Sequence, residues 1–303
     1  MGLANGTESQ ERTDVCVIGH VCRDTIRIGD RTRAQVGGTA YYCALALCRL
    51  GRRVAVVTKL AAADRPELLR ELRSAGVTVS AFESPRTTHF ENLYPEGNPD
   101  SRSQRVSDVA SPFEESDLGE LRARVFHLGP LTNRDMDVEF LRAVSTRGEV
   151  SLDVQGLLRR VEAGAVLPEN WAEREAGLAC VDIVKVDRGE ARLLSGESDP
   201  ERAARRLASF GPREVIVTLG GEGSLVLCEG HLWHIPAFLA AEVVDPTGCG
   251  DSYMAAYLDR RLAGEDPERA GAFAAAVGAV TLQSIGPFRG SVADVERLLT
   301  RNA

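Results

Sequence analysis

The stretch DPTGCGDSYMAAYL, residues 245–258, breaks an apolar lead-in with a two-glycine turn and continues with helical spacing. Asp251 stands where the helix begins, directly after Gly248, Cys249 and Gly250. A helix leaves its first amides unpaired and carries partial positive charge at that end. Glycines there let another molecule approach the backbone, so the turn can cradle a highly charged phosphoryl group. A carboxylate beside the cradle can take the proton of an attacking hydroxyl. The helix dipole should depress the pKa of Asp251, which a loose phosphoryl-transfer transition state tolerates because the proton leaves late. A simple cap in a tight turn uses the same residues, and spacing alone leaves both readings open.

Two further glycine turns carry chemistry of the same kind. In VIVTLGGEGSLVL (215–227), Thr218 ends an apolar strand, and Gly220, Gly221 and Gly223 open a turn that a nucleotide or a plain hairpin explains equally. It is no dinucleotide fingerprint, because G-x-G-x-x-G spacing is missing and no helix follows; neither a P-loop nor the HRD and DFG signatures of protein kinases occur in the chain. In VGGTAYYCALALCRLG (36–51), Gly37 and Gly38 open a helix. Asp24 falls just after the first strand, at the sheet edge where open α/β proteins bind ligands, although a turn would also account for it.

The elements that must hold these residues alternate. DVCVIGH (14–20) and RRVAVVTKL (52–60) read as buried strands, and TAYYCALALCRLG (39–51) and RPELLRELRSAGV (65–77) as helices with glycine stops. From Val125 onward RVFHLG, EVSLDVQG, VDIVKVD, EVIVTLG and GSLVLCEG are strands, with helical patterns between most of them. This predicts an α/β fold with a largely parallel sheet covered on both faces. The polar segments 22–36, a hairpin turning at Gly29-Asp30, and 86–108 can pair into a small projecting sheet. Helices are predicted over 250–263, 267–283 and 291–300. Within the second, the small residues AGAFAAAVGAV suit either close helix packing or a ligand cleft.

Composition excludes several classes. A 303-residue chain with 44% hydrophobic and 26% charged residues has an ordinary globular balance. Net charge is −8 without a concentrated basic block, which argues against nucleic acid as a partner. No apolar run approaches the roughly 20 residues of a membrane helix. The polar start MGLANGTESQERTD reads as a disordered leader over 1–13, with neither a signal peptide nor a myristoylation pattern. Seven scattered cysteines without a CxxC pair indicate neither a zinc site nor a disulfide framework, and suit a reducing cytoplasm.

Taken together the motifs resemble a family. DPTGCGDSYMAAYL is similar to the D-T-x-G-A-G-D-x-F signature of ribokinase-like (PfkB) carbohydrate kinases, and GGTAYYCALALCRLG to their N-terminal G-G signature. VTLGGEGSLV falls between them, where the family's nucleotide loop belongs, and the similarity runs over about residues 14–300. The resemblance implies a three-layer α/β sandwich with a small β-sheet lid, formed by 22–36 and 86–108 within a kinase domain over 14–303. It implies transfer of the γ-phosphoryl group of ATP, with Mg²⁺, to an alcohol on a sugar, nucleoside or polyol. Asp251 would be the general base and the amides of Gly248, Cys249 and Gly250 its anion hole. Asp24, Gly37 and Gly38 would hold acceptor hydroxyls, and Thr218, Gly220 and Gly223 would contact nucleotide. Glu190 in KVDRGEA matches the glutamate of the N-x-x-E motif, which organises magnesium through water. Asp245 and Thr247 fall where many members bind a monovalent cation such as K⁺, and members often form homodimers through lid strands.

Departures narrow the reading. Tyr42 stands where sugar-specific members carry Asn, Asp187 replaces the Asn of N-x-x-E, and Cys249 replaces Ala in the anion hole, as an inert filler or a helix-activated thiol. SLDVQGLLRRV (151–161), DPTGCGDS and TLQSIGP (281–287) look like the inositol kinase branch, with its D-x-Q-G-x-x-R segment. Asp153, Gln155 and Arg159 would then grip ring hydroxyls, approached from the lid by TTHFENLY and Arg105; a satisfied strand end is the plainer reading of Asp153 and Gln155. A sugar or nucleoside kinase is the alternative, the latter helped by Tyr41, Tyr42, Phe90 and Tyr94. A catalytically silent ligand-binding protein on the same fold is the alternative of another class.

Overall fold

A computed structural model gives the fold, and the residues it describes are 13–28, 31–94, 103–240 and 242–301. All of the polar leader but residue 13 lies outside them, as do the Gly29-Asp30 turn and residues 95–102. The chain enters on β1 (Thr13–Ile18), makes the pair β2 (Cys22–Ile28) and β3 (Arg31–Gly37), and returns through the helix Thr39–Arg49 to β4 (Val54–Leu60) and β5 (Thr78–Glu83). A second excursion, β6 (His89–Tyr94) and β7 (Ser103–Asp108), precedes β8 (Ala123–Leu128) and β9 (Glu149–Asp153). A short hairpin, β10 (Arg159–Glu162) and β11 (Ala165–Pro168), then leads to β12 (Ile183–Asp187), β13 (Glu214–Thr218), β14 (Ser224–Cys228) and β15 (His231–Ile235).

Side-chain alternation explains why the main sheet lies between two layers. On β1, Val15 and Val17 join one buried apolar cluster while Cys16 and Ile18 join another; Val54 and Val56 of β4 divide from Ala55 and Val57 in the same way. Strands with no polar face must be covered on both sides. The nine strands run β15-β14-β13-β12-β9-β8-β1-β4-β5, parallel from β13 through β5, with antiparallel pairings only at β13–β14 and β14–β15. The predicted α/β sandwich is therefore the fold.

The lid is larger than expected. Its six strands run β10-β11-β7-β6-β2-β3. The two polar excursions supply four of them, and the β10–β11 hairpin supplies two that the sequence reading missed. That hairpin turns at Ala163 and Gly164, both at positive φ (48° and 81°), where Asn-Gly is the usual signal. The single helix expected over 65–77 is two, Arg65–Leu68 and Arg70–Ser74. Leu68, Leu69 and Leu72 are all buried, and Leu69 leaves helical geometry so that the adjacent pair can face the core.

Three helices close the chain, Cys249–Leu262, Pro267–Thr281 and Val292–Arg301. The small residues of the second serve close packing: a Cβ at Gly271 would stand 2.9 Å from Ile235, and one at Gly278 would stand 3.3 Å from the Cys249 sulfur. Among the described residues no helix is long and apolar enough to cross a membrane.

Candidate active site

Parallel register brings the polar residues to one sheet edge. Lys185 pairs with Asp153 across β12 and β9, and Asp187 with Thr218 across β12 and β13, at the carboxyl ends of all three strands. The lid covers part of this edge and encloses a cavity of about 190 Å³. Asp24 lies within the lid segment expected over 22–36, as the third residue of β2 rather than in a turn after β1. It is buried against Gly37, where a Cβ would overlap its carboxylate, and its Oδ1 accepts from the Cys22 thiol at 3.5 Å. Gly38, at φ 96°, starts the helix Thr39–Arg49, whose first residue lines the cavity together with Asp251.

Asp251 lies in the first turn of the helix Cys249–Leu262. Gly248 precedes that helix in the left-handed region (φ 77°), and a Cβ there would overlap the Tyr42 ring. Gly248, Gly250 and Asp251 all line the cavity. The pKa expectation is corrected: the carboxyl of Asp251 is pushed up to about 6, first by burial and then by the Asp153 charge, against the opposing pulls of Lys185, Thr39 and Arg159. Loss of water outweighs the helix dipole. Asp251 is thereby a better base than its place at a helix start suggests.

Cys249 does not belong to the cavity wall. Its amide, expected in the anion hole, is instead taken up by the Pro246 carbonyl at 3.3 Å, and its thiol donates to the Gly278 carbonyl at 3.7 Å. Burial pushes that thiol up to about 11, opposite to the lowering a helix-activated nucleophile needs, which favours the filler reading.

Asp153, Gln155 and Arg159 line the cavity as the D-x-Q-G-x-x-R segment implies. Asp153 also fills the plainer role, since its Oδ1 accepts from the Gln155 amide at 3.1 Å. Its other oxygen meets Lys185 Nζ at 2.7 Å, in a pair with both side chains buried. Burial, the largest influence, would raise the Asp153 pKa, but Lys185, the Gln155 amide and His127 together outweigh it and the net shift is downward. Lys185 is the residue sequence reasoning overlooked. Its ammonium would stand 3.1 Å from a Cβ on Gly250, against the first turn of the Asp251 helix. A lysine inside VDIVKVD, an otherwise apolar central strand, was the available signal, because such a charge needs a partner.

The lid contributes Phe90, Asn92 and Gln104, with Gln104 Nε2 donating to Asn92 Oδ1 at 2.9 Å. Arg105, expected beside the acceptor, is exposed and does not line the cavity; strand alternation turns its neighbour Gln104 inward instead. Tyr42 is 2% exposed, and Gln35 Nε2 donates to its hydroxyl at 3.3 Å.

The residues expected at the donor lie apart from the cavity wall. Asp187 and Glu190 form a capping box on the helix Arg188–Ser195, each carboxylate accepting the other's amide at 2.8 Å. Burial raises Glu190 to about 7, with Asp153 and Asp187 adding to the rise and Lys185 opposing it. Thr218, Gly220 and Gly223 sit at the β13–β14 turn, which Arg188 reaches through a 2.7 Å ion pair to Glu222. Among the described residues no group of three or more His, Cys, Asp or Glu side chains is placed to hold a metal. A magnesium ion keeps several waters and takes only one or two carboxylates, and Asp187 and Glu190 are the carboxylates at this edge that would face one. Asp245 is already engaged: Oδ2 accepts from Arg33 at 3.0 Å and Oδ1 from the Thr247 amide at 2.9 Å. A monovalent cation at Asp245 would have to share it with that guanidinium.

Comparison with known proteins agrees with this geometry. Residues 160–292 match the pfkB family carbohydrate kinases. The chain is 29% identical to a cytidine kinase of Thermococcus kodakarensis over 260 residues, covering 81% of this chain and 87% of that one. Among solved structures, a sulfate complex of a pyrophosphate-dependent kinase in the ribokinase family superposes with TM-score 0.85 at 30% identity, over 93% of this chain and 99% of that one. A pyrophosphate-dependent kinase of that family, complexed with a pyrophosphate analog and myo-inositol, gives TM-score 0.84 at 29% identity, over 93% and 99%. The chain belongs to the ribokinase family of pfkB carbohydrate kinases. It is a phosphotransferase whose acceptor is a hydroxyl group, as in the sugar and nucleoside kinases it resembles.

Proposed function

We propose that the protein phosphorylates a cyclic polyol of the myo-inositol type, with Asp251 as general base. The observation that carries this reading is the composition of the cavity. Asp24, Asn92, Gln104, Asp153, Gln155 and Arg159 line it with donors and acceptors on several sides, as a ring bearing a hydroxyl on every carbon requires. Its 190 Å³ lies below the ~300 Å³ at which drug-sized sites begin. Tyr42 reaches the cavity wall but is only 2% exposed, its ring held between Tyr41 and Gly248, which leaves little of it for stacking. The likeness to a kinase complexed with myo-inositol supports the same acceptor.

In this mechanism Asp24, Asp153, Gln155 and Arg159 orient the ring so that one hydroxyl faces Asp251, which takes its proton. The amides of Gly248 and Gly250, with Lys185 beside them, receive the transferring phosphoryl group and hold its charge. Bound Mg²⁺ supplies further charge neutralisation on the donor. Positioning and charge carry the rate, without a covalent enzyme intermediate.

The donor reading is ATP. Leu239, Val243, Val244 and Ile285 are exposed apolar side chains. Hydrogen bonds from the Val244 and Asp245 amides to the Leu282 carbonyl bring 243–245 beside 282–285, close to the start of the Asp251 helix. An apolar strip there suits a nucleotide base. Pyrophosphate is the second reading, favoured by the two similar structures of pyrophosphate-dependent kinases. A nucleoside acceptor is favoured by the cytidine kinase relative and by Phe90 in the lid wall.

A matrix of acceptors (myo-inositol, ribose, fructose, cytidine) against donors (ATP, pyrophosphate), each with Mg²⁺ and followed by ³¹P NMR, tests both parts. A new phosphomonoester with myo-inositol and ATP is the expected result. Product with ribose or cytidine alone overturns the acceptor, and product with pyrophosphate alone overturns the donor.

A further inference from the structure

Arg33 and Gln35 project from one face of the lid's edge strand β3, two residues apart. Arg33 Nη2 donates to Asp245 Oδ2 at 3.0 Å and to Gln35 Oε1 at 2.9 Å. Gln35 Nε2 continues the chain to the Tyr42 hydroxyl, and the Tyr42 ring packs on Gly248. The contacts thus form a closed ring, Asp245–Arg33–Gln35–Tyr42–Gly248, around the four-residue turn that leads into Asp251. Asp245 is 6% exposed, and Arg33 is its one cation within ion-pair distance among the described residues. A carboxylate so buried draws its main compensation from that cation, so withdrawing Arg33 should loosen Asp245 and the turn it holds.

We propose that Arg33 is a positioning residue that couples lid closure over the acceptor to the shape of the anion-receiving turn at Gly248–Gly250. The lid wall touches the acceptor cavity through Asp24, Phe90, Asn92 and Gln104. Acceptor binding holds the lid down, the lid holds Arg33 on Asp245, and Asp245 holds the Thr247 amide and the turn behind it. Each ligand should therefore strengthen the other's binding, and by linkage the two effects must be equal. The inference rests on the kinase reading above.

The test is calorimetry on the full chain with Mg²⁺ and a non-hydrolysable donor, adenylyl methylenediphosphonate or methylenediphosphonate, with and without 10 mM myo-inositol. Wild-type turnover is recorded alongside. In the wild type, myo-inositol should tighten donor-analogue binding at least fivefold. Arg33→Ala should reduce that factor to below twofold and lower kcat at least tenfold, and Arg33→Lys should recover part of both. Arg33→Ala/Asp245→Asn should be no worse than Arg33→Ala, because both substitutions remove one contact. Thermal melting of each variant reports folding, and Arg33→Gln provides a milder second variant. Equal coupling in wild type and Arg33→Ala, or an Arg33→Ala kcat within twofold of wild type, overturns the proposal. A wild-type protein that turns over none of the acceptors would instead refute the kinase reading.

Discussion

The two halves of the site are built on different terms. On the proposed acceptor side, side chains dominate: Asp24, Asn92, Gln104, Asp153, Gln155 and Arg159 converge on one small cavity from both the lid and the body. On the proposed donor side the features are a hairpin turn at Gly220–Glu222, a helix start at Gly248, a capping box at Asp187 and Glu190, and the exposed apolar residues Val243, Val244 and Ile285. A side-chain cage fixes the shape of what enters it. Backbone amides at a helix start recognise phosphate charge without reading the rest of the donor, so under the proposed mechanism the choice between ATP and pyrophosphate falls to residues outside the turn. Asp251 stands where the two halves meet, together with Lys185.

The largest effect should come from that junction. Asp251→Asn removes the base, and turnover should fall by about 10²–10⁴ with little change in acceptor KM. Steady-state kinetics on a variant that melts normally checks this. Lys185→Met should come next. It leaves Asp153 buried and unpaired, at a cost of about 3–5 kcal/mol in stability, readable as a fall in urea midpoint. It should also lower kcat about 100-fold, in the range of losing one preorganised donor to the transferring group. A variant that keeps wild-type kcat would confine Lys185 to a structural role and separate the halves more sharply.

Smaller changes belong to the lid wall. Asn92→Ala and Gln104→Ala should each raise acceptor KM about tenfold, the cost of one or two hydrogen bonds, and leave donor affinity measured without acceptor within twofold. If that acceptor-free donor affinity falls equally, the lid wall acts on the donor half directly and not through the bound acceptor.

Much of the fold was legible because apolar runs buried on both faces carry no competing pattern. β1, β4, β12 and β13 read directly from DVCVIGH, RRVAVVTKL, VDIVKVD and EVIVTLG. The β10–β11 hairpin was hidden because its turn uses Ala163 where a glycine or asparagine would have announced it. The D-x-Q-G-x-x-R segment led to three cavity residues and TTHFENLY to the lid wall that carries Asn92, while Gln104 escaped because polar residues on exposed-looking strands are common. The Asp251 pKa escaped for a different reason. A local motif shows the helix dipole, but burial and the Asp153 charge come from elements remote in sequence, as does Arg33, 212 residues from its partner Asp245.

Asp251 as the base is the central claim, and its protonation state tests it most directly. Folding raises the carboxyl from 3.8 to about 6, so the proton-accepting form is present above that pH and lost as pH falls through it. The pH profile of kcat/KM for the acceptor, compared between wild type and Asp251→Asn, is the decisive measurement. Wild-type activity should fall tenfold per pH unit below about 6. The residual activity of Asp251→Asn should show no such fall, at a level at least 100-fold lower. The same acid limb in both proteins, or an Asp251→Asn activity within tenfold of wild type, would contradict the account.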